Sequence, residues 1–150
     1  MSQTLVTLRT HLVFSTKRRE RFIEPAVEPE LHAYLAALFK VCDSPAILID
    51  GTDDHIHALF SLSKKWALAD VVEKVKKDSS KWIKSKGPQF RNFHWQNGYA
   101  GFSIGKSGEP QLMNYIRTQK KHHAKQDFKA ELRAFLEKYG VAYNERYLWD

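Results

Sequence analysis

Residues 55–63 read His55-Ile56-His57-Ala58-Leu59-Phe60-Ser61-Leu62-Ser63. Ile56, Ala58, Phe60 and Leu62 are apolar, and the two histidines fall out of phase with them. Successive side chains of a β-strand point to opposite faces. A strand here therefore sends the apolar set into a core and both imidazoles to the other side. Just before it, Gly51-Thr52-Asp53-Asp54 has turn chemistry, and Ala46 to Asp50 is a short apolar run. The pair reads as a hairpin, the second and third strands of the chain.

Working outward, Leu5 to Thr16 alternates Leu8, Thr10, Leu12, Phe14 against Arg9, His11, Val13, Ser15, and reads as a first strand. A polar loop, Lys17 to Pro25, follows. Glu28 to Val41 carries Leu31, Leu35, Leu38 and Phe39 at helical spacing. Ala67 to Lys86 is a second helix, with Val71, Val75, Trp82 and Ile83 on one side and Gly87-Pro88 at its end. Tyr99 to Ile104 reads as a fourth strand, and Gly105-Lys106-Ser107-Gly108 as a flexible connection. Pro110 to Gln126 is a third helix, with proline tolerated in its first turn. Phe128 to Tyr139 is a fourth, ended by Gly140, and the aromatic last ten residues pack back on the body.

The order β-α-β-β-α-β followed by helices predicts an α+β chain of ferredoxin-like (RRM-like) fold. Its antiparallel sheet carries two helices on one face. The other face is open unless the C-terminal helices or a partner cover it.

A chain of 150 residues has the length of one domain, predicted to span residues 1–150. Its 43% hydrophobic and 27% charged residues argue against disorder. No stretch has the length and apolarity of a transmembrane helix, and no signal peptide is visible at residues 1–10. Cys42 is the only cysteine, which excludes an intrachain disulfide and a cysteine-based zinc site and fits a cytoplasmic protein. Lys and Arg exceed Asp and Glu by 24 to 17, a net charge of +7 that points to a polyanionic partner.

His55 and His57 sit about 7 Å apart at their Cα atoms, a spacing at which two imidazoles grip one metal ion. Two unrelated surface histidines are the plain alternative. Tyr115 and Gln119 are four residues apart and share a face of the third helix. For a lone helical tyrosine, a half-buried ring with a wet hydroxyl is the ordinary role.

Taken together, His55-Ile56-His57, the helix segment Asn114-Tyr115-Ile116-Arg117-Thr118-Gln119 and the opening Thr10-His11-Leu12-Val13-Phe14-Ser15-Thr16-Lys17 resemble the single-tyrosine HUH transposases. These are the insertion-sequence-200-like enzymes and their repeat-associated relatives. Gly98 to Ser103 and the ending Glu145 to Asp150 share the likeness, which runs over nearly the whole chain. The resemblance implies cutting and rejoining of single-stranded DNA through a 5′-phosphotyrosine, leaving a free 3′-hydroxyl. It implies that Tyr115 is the nucleophile and that His55, His57 and Gln119 hold a divalent metal. It also implies hairpin-bearing DNA ends and a homodimer.

The residue types suit that chemistry. Two neutral imidazoles and an amide oxygen add no negative charge, so a bound cation keeps its pull on a phosphate. Oxygen ligands favour Mg²⁺ and imidazole favours Mn²⁺, so either ion fits. Lysines 74, 76, 77, 81, 84 and 86 of the second helix suggest a DNA track, about half of it ordinary solvated surface. Trp66, Phe90, Trp95 and Tyr99 suit base stacking, though core packing is the default for most. Two other classes stay open. One is a non-catalytic single-stranded nucleic-acid-binding module. The other is a small metal hydrolase in which Tyr115 is structural.

Overall fold

The computed structural model describes residues 2–123 and 126–150. Strands β1 (Arg9–Ser15), β2 (Ala46–Gly51), β3 (His55–Ser61) and β4 (Ala100–Ser103) form one antiparallel sheet in the order β2-β3-β1-β4. Helix α1 (Glu28–Val41) joins β1 to β2, and α2 (Leu68–Lys84) joins β3 to β4. This is the predicted ferredoxin-like order, with β1 and β3 at the centre.

The alternation of β1 and β3 sorts the core. Leu12 and Phe14 from β1 join Ile56, Ala58 and Phe60 from β3 on one face. There they pack on Leu31, Leu35 and Phe39 of α1 and Val71, Val75 and Ile83 of α2. Phe90 and Trp95 are buried in this layer, so they are core residues and not base-stacking platforms. Tyr99 stays exposed.

The second face is not open. Val13 and Phe102 pack on Phe128, Leu132 and Leu136 of α5 (Phe128–Lys138). Leu59 packs on Leu112 and Ile116 of α3 (Glu109–Arg117). Leu148 and Trp149, at the end of α6 (Glu145–Leu148), close over the α5 side. His11, His55 and His57 therefore lie fully inside, each 0% exposed. Apolar residues interleaved with the histidines make this face worth covering, and the C-terminal helices cover it.

The largest differences from the sequence reading are at the first strand and the third helix. The ladder with β3 runs from Arg9 to Ser15, with one further bond from the Leu62 N–H to the Leu8 carbonyl at 2.9 Å, and Leu5 and Val6 are exposed. The third helix is broken at Thr118 into α3 and α4 (Gln119–His122). The Thr118 hydroxyl donates back to the Asn114 carbonyl at 2.9 Å, a contact that disturbs helix interiors. Residues 124 and 125 of that reading lie outside the described residues. No described helix is long and apolar enough to cross a membrane.

The β2–β3 turn is tight. A Cβ on Gly51 would stand 2.1 Å from the His55 carbonyl oxygen, which is backbone and cannot swing away. Gly51→Ala should cost about 1–3 kcal/mol by overpacking. Urea denaturation should show the loss, and an unchanged midpoint would refute the close approach.

Candidate active site

Five elements converge on the buried face. Strand β3 supplies His55 and His57, β1 supplies His11, α3 supplies Tyr115, α4 supplies Gln119 and α5 supplies Glu131. The Gln119 Oε1 lies 3.1 Å from His55 Nε2. Glu131 Oε1 lies 2.7 Å from His57 Nε2 and 3.5 Å from His55 Nε2. The Tyr115 hydroxyl donates to Glu131 Oε2, and His123 Nε2 lies 3.0 Å from the same oxygen. All four sequence-predicted residues, His55, His57, Tyr115 and Gln119, thus meet in one cluster within one chain.

The rings are held from behind. His55 Nδ1 lies 2.7 Å from Asp54 Oδ1 and 2.9 Å from Thr52 Oγ1. His57 Nδ1 lies 2.8 Å from His11 Nε2. With a cation bound, a proton on each Nδ1 would satisfy these partners and leave both Nε2 lone pairs to the ion, the arrangement of metal-binding histidines.

Burial and pairing compete at every titratable group. Burial opposes charge on His55, but hydrogen bonds to Asp54 and Glu131 outweigh it and raise its pKa to about 9. Burial wins at His57, which is lowered despite Glu131. Burial would raise Glu131, yet His123, His55 and His57 together hold it well below the usual carboxylate range. Burial and then Glu131 push the Tyr115 phenol well above its ordinary value. The tyrosine is accordingly a neutral hydroxyl in the free protein.

The donor set fits a divalent cation. His55, His57, His123 and Glu131 each offer a ligand atom, and these atoms lie within 4.8 Å of one another. The Gln119 oxygen borders them. Sequence reasoning missed Glu131, His123, His11 and Asp54. Glu131 had a signal: it interrupts the stripe Phe128, Leu132, Leu136, where a charge has no place without partners. His11 shares the phase of Val13 on β1, so alternation alone puts it on the histidine face. Nothing local marks His123.

Residues 4–119 match the family described as Transposase IS200 like. The chain belongs to this transposase family. Among curated proteins none matches the sequence. The fold of this IS200-like transposase is similar to that of a protein from Deinococcus radiodurans R1 assigned as a transposase. The TM-score is 0.62 and the identity 20%, over 79% of this chain and 98% of that one. It is also similar to a REP-associated tyrosine transposase solved with a REP hairpin. There the TM-score is again 0.62 and the identity 13%, over 82% of this chain and 74% of that one. The family match ends at Gln119, so Glu131 and His123 lie past it.

The lysines of the transposase's α2 do not line this site, because α2 packs on the opposite face of the sheet. Several are occupied. Lys74 pairs with Asp78 at 2.7 Å and Lys86 with Glu30 at 3.1 Å. Lys76 donates to the carbonyls of Gln96 and Gly98, and burial lowers its pKa to about 8. Near the site itself, a cleft of about 470 Å³ runs past Tyr115 and Glu131, with Gln111, Phe135 and Lys138 on its walls. It gives Tyr115 an approach from solvent.

Proposed function

We propose that this transposase is a metal-dependent enzyme that cleaves and rejoins single-stranded DNA through a phosphotyrosine at Tyr115. The observation that carries the reading is the convergence of the Tyr115 hydroxyl, two imidazole Nε2 atoms and the Gln119 oxygen in one buried cluster. A structural tyrosine beside two unrelated surface histidines would not produce it.

In this reading His55, His57 and Gln119 hold the ion, and Asp54 and His11 fix the two rings. A bound Mg²⁺ or Mn²⁺ would neutralise a non-bridging phosphate oxygen and ease ionisation of the tyrosine. The Tyr115 oxygen attacks phosphorus, forming the Tyr–O–P bond while the bond to the 3′-oxygen breaks. The phenolic proton passes to solvent through the cleft beside Tyr115, and the departing 3′-oxygen takes up a proton to become a hydroxyl. The phosphoester is retained on Tyr115, so a later 3′-hydroxyl can reverse the step without ATP.

Hairpin-bearing single strands are the expected substrate, as for the repeat-associated relative solved with its hairpin. Assembly as a homodimer belongs to the same reading. The deciding experiment is incubation with single-stranded DNA and Mn²⁺, followed by denaturing gels and peptide mapping. An adduct on the Tyr115 peptide supports the reading. DNA binding without an adduct supports a non-catalytic module, and cleavage without one supports a metal hydrolase.

Asp54→Asn tests the support of His55. The amide keeps the size but loses the charge that fixes the imidazole. Mn²⁺ affinity by calorimetry should fall about 10–100-fold. Affinity equal to wild type would show that Asp54 does not orient a ligand.

DNA binding should weaken with salt, because phosphate contacts release counterions. Each neutralised phosphate of a single strand contributes about −0.7 to the slope of log affinity against log salt. A flat slope in filter binding would contradict a phosphate track, as would equal affinity for blunt duplex and single strands.

A further inference from the structure

Glu131 is 1% exposed and lies on the side of α5 that packs against the sheet. A carboxylate in that position is strongly unfavourable unless its partners justify it. Its two oxygens have different partners. Oε1 faces His57 Nε2 at 2.7 Å and His55 Nε2 at 3.5 Å, the two nitrogens turned away from His11 and Asp54. Oε2 accepts the Tyr115 hydroxyl and lies 3.0 Å from His123. One rigid carboxylate thus spans from the ligand nitrogens to the nucleophile. The family match stops short of this residue, so the assignment comes from its position alone.

We propose that Glu131 joins the nucleophile to the metal: Oε1 completes the donor set of His55, His57 and Gln119, and Oε2 holds the Tyr115 hydroxyl beside it. The proposal rests on the metal-dependent reading above. A carboxylate is a stronger ligand for Mg²⁺ or Mn²⁺ than an amide. A single carboxylate also leaves the divalent ion with net positive charge toward a phosphate. Because both contacts belong to one planar group, filling the site and placing the tyrosine become one event.

The test uses the full chain with Glu131→Gln and Glu131→Ala, each checked for folding by circular dichroism. Mn²⁺ affinity is measured by calorimetry without DNA, and cleavage of single-stranded DNA is followed against Mn²⁺ concentration. Both variants should lose at least about tenfold in Mn²⁺ affinity. Glutamine retains an oxygen that can accept from Tyr115, so saturating Mn²⁺ should restore most of its cleavage. Alanine has no acceptor, so its cleavage should stay well below wild type at saturating metal. Should Glu131→Ala fail to fold, Glu131→Asp replaces it, because a carboxylate retracted by one methylene cannot reach both partners. Wild-type Mn²⁺ affinity in Glu131→Gln would overturn the proposal. Equal recovery of cleavage by both variants would overturn its tyrosine half. Absence of any Tyr115 adduct in the wild type would instead overturn the parent reading. A wild-type adduct alongside unchanged affinity in Glu131→Gln would leave that reading standing and remove only this one.

Discussion

Tyr115→Phe should give a folded protein that binds DNA and cannot cut it. Phenylalanine keeps the ring, which packs edge-on against Phe135 at 5.4 Å between centroids and near His57 at 6.1 Å. Only the oxygen is lost. Glu131 Oε2 then keeps His123 as a partner, and Oε1 keeps His57, so no carboxylate oxygen is stranded. Removing a covalent nucleophile elsewhere costs up to about 10⁶ in turnover. The expected result is no covalent complex on a denaturing gel and cleavage down by at least about 10⁴, with gel-shift affinity little changed. Ordinary cleavage by the variant would end the nucleophile assignment.

The second large effect concerns the histidines. His57→Ala removes an imidazole that is fully buried, whose Nε2 meets Glu131 and whose Nδ1 meets His11. Mn²⁺ affinity should fall by more than the 10–100-fold typical of losing a supporting residue. Metal-dependent cleavage should fall with it. Stability should also drop, by about 1–3 kcal/mol, because Glu131 and His11 each lose a close hydrogen-bond partner while staying inside. His55→Ala should weaken metal binding in the same way, with Asp54 and Gln119 losing their common partner. Calorimetry with Mn²⁺ measures the first effect and urea denaturation the second. Wild-type metal affinity in both histidine variants would show that the pair does not hold the ion.

Much of this protein is written locally. The alternation of residues 55–63 determines a strand and separates Ile56, Ala58 and Phe60 from His55 and His57. That separation follows from the two-residue period of an extended chain and needs no partner. Helical spacing likewise puts Leu31, Leu35 and Phe39 on one stripe, and Tyr115 and Gln119 on another. Turn chemistry at Gly51 to Asp54 closes the hairpin. From these pieces the strand and helix order follows, and with it the four residues of the resembling family.

What the order of elements left undecided is what lies on the histidine face. Whether that face is open or covered depends on how α3, α4 and α5 dock, and docking is a sum of contacts between residues far apart in sequence. Leu59 on Leu112 and Val13 on Leu132 are such contacts, and no local pattern encodes them. Burial of that face is what moves His55, His57 and Glu131 out of water and makes their mutual pairing obligatory. The break at Thr118 belongs to the same class. The spacing of Tyr115 and Gln119 is visible in the sequence, but the interrupted helix sets how the two side chains meet His55 and Glu131. His11 acquires its role only because β1 pairs beside β3 and sets its ring against His57. A sequence specifies which residues can face the same way; the tertiary packing specifies which of them touch, because contact requires two distant segments to lose their water together.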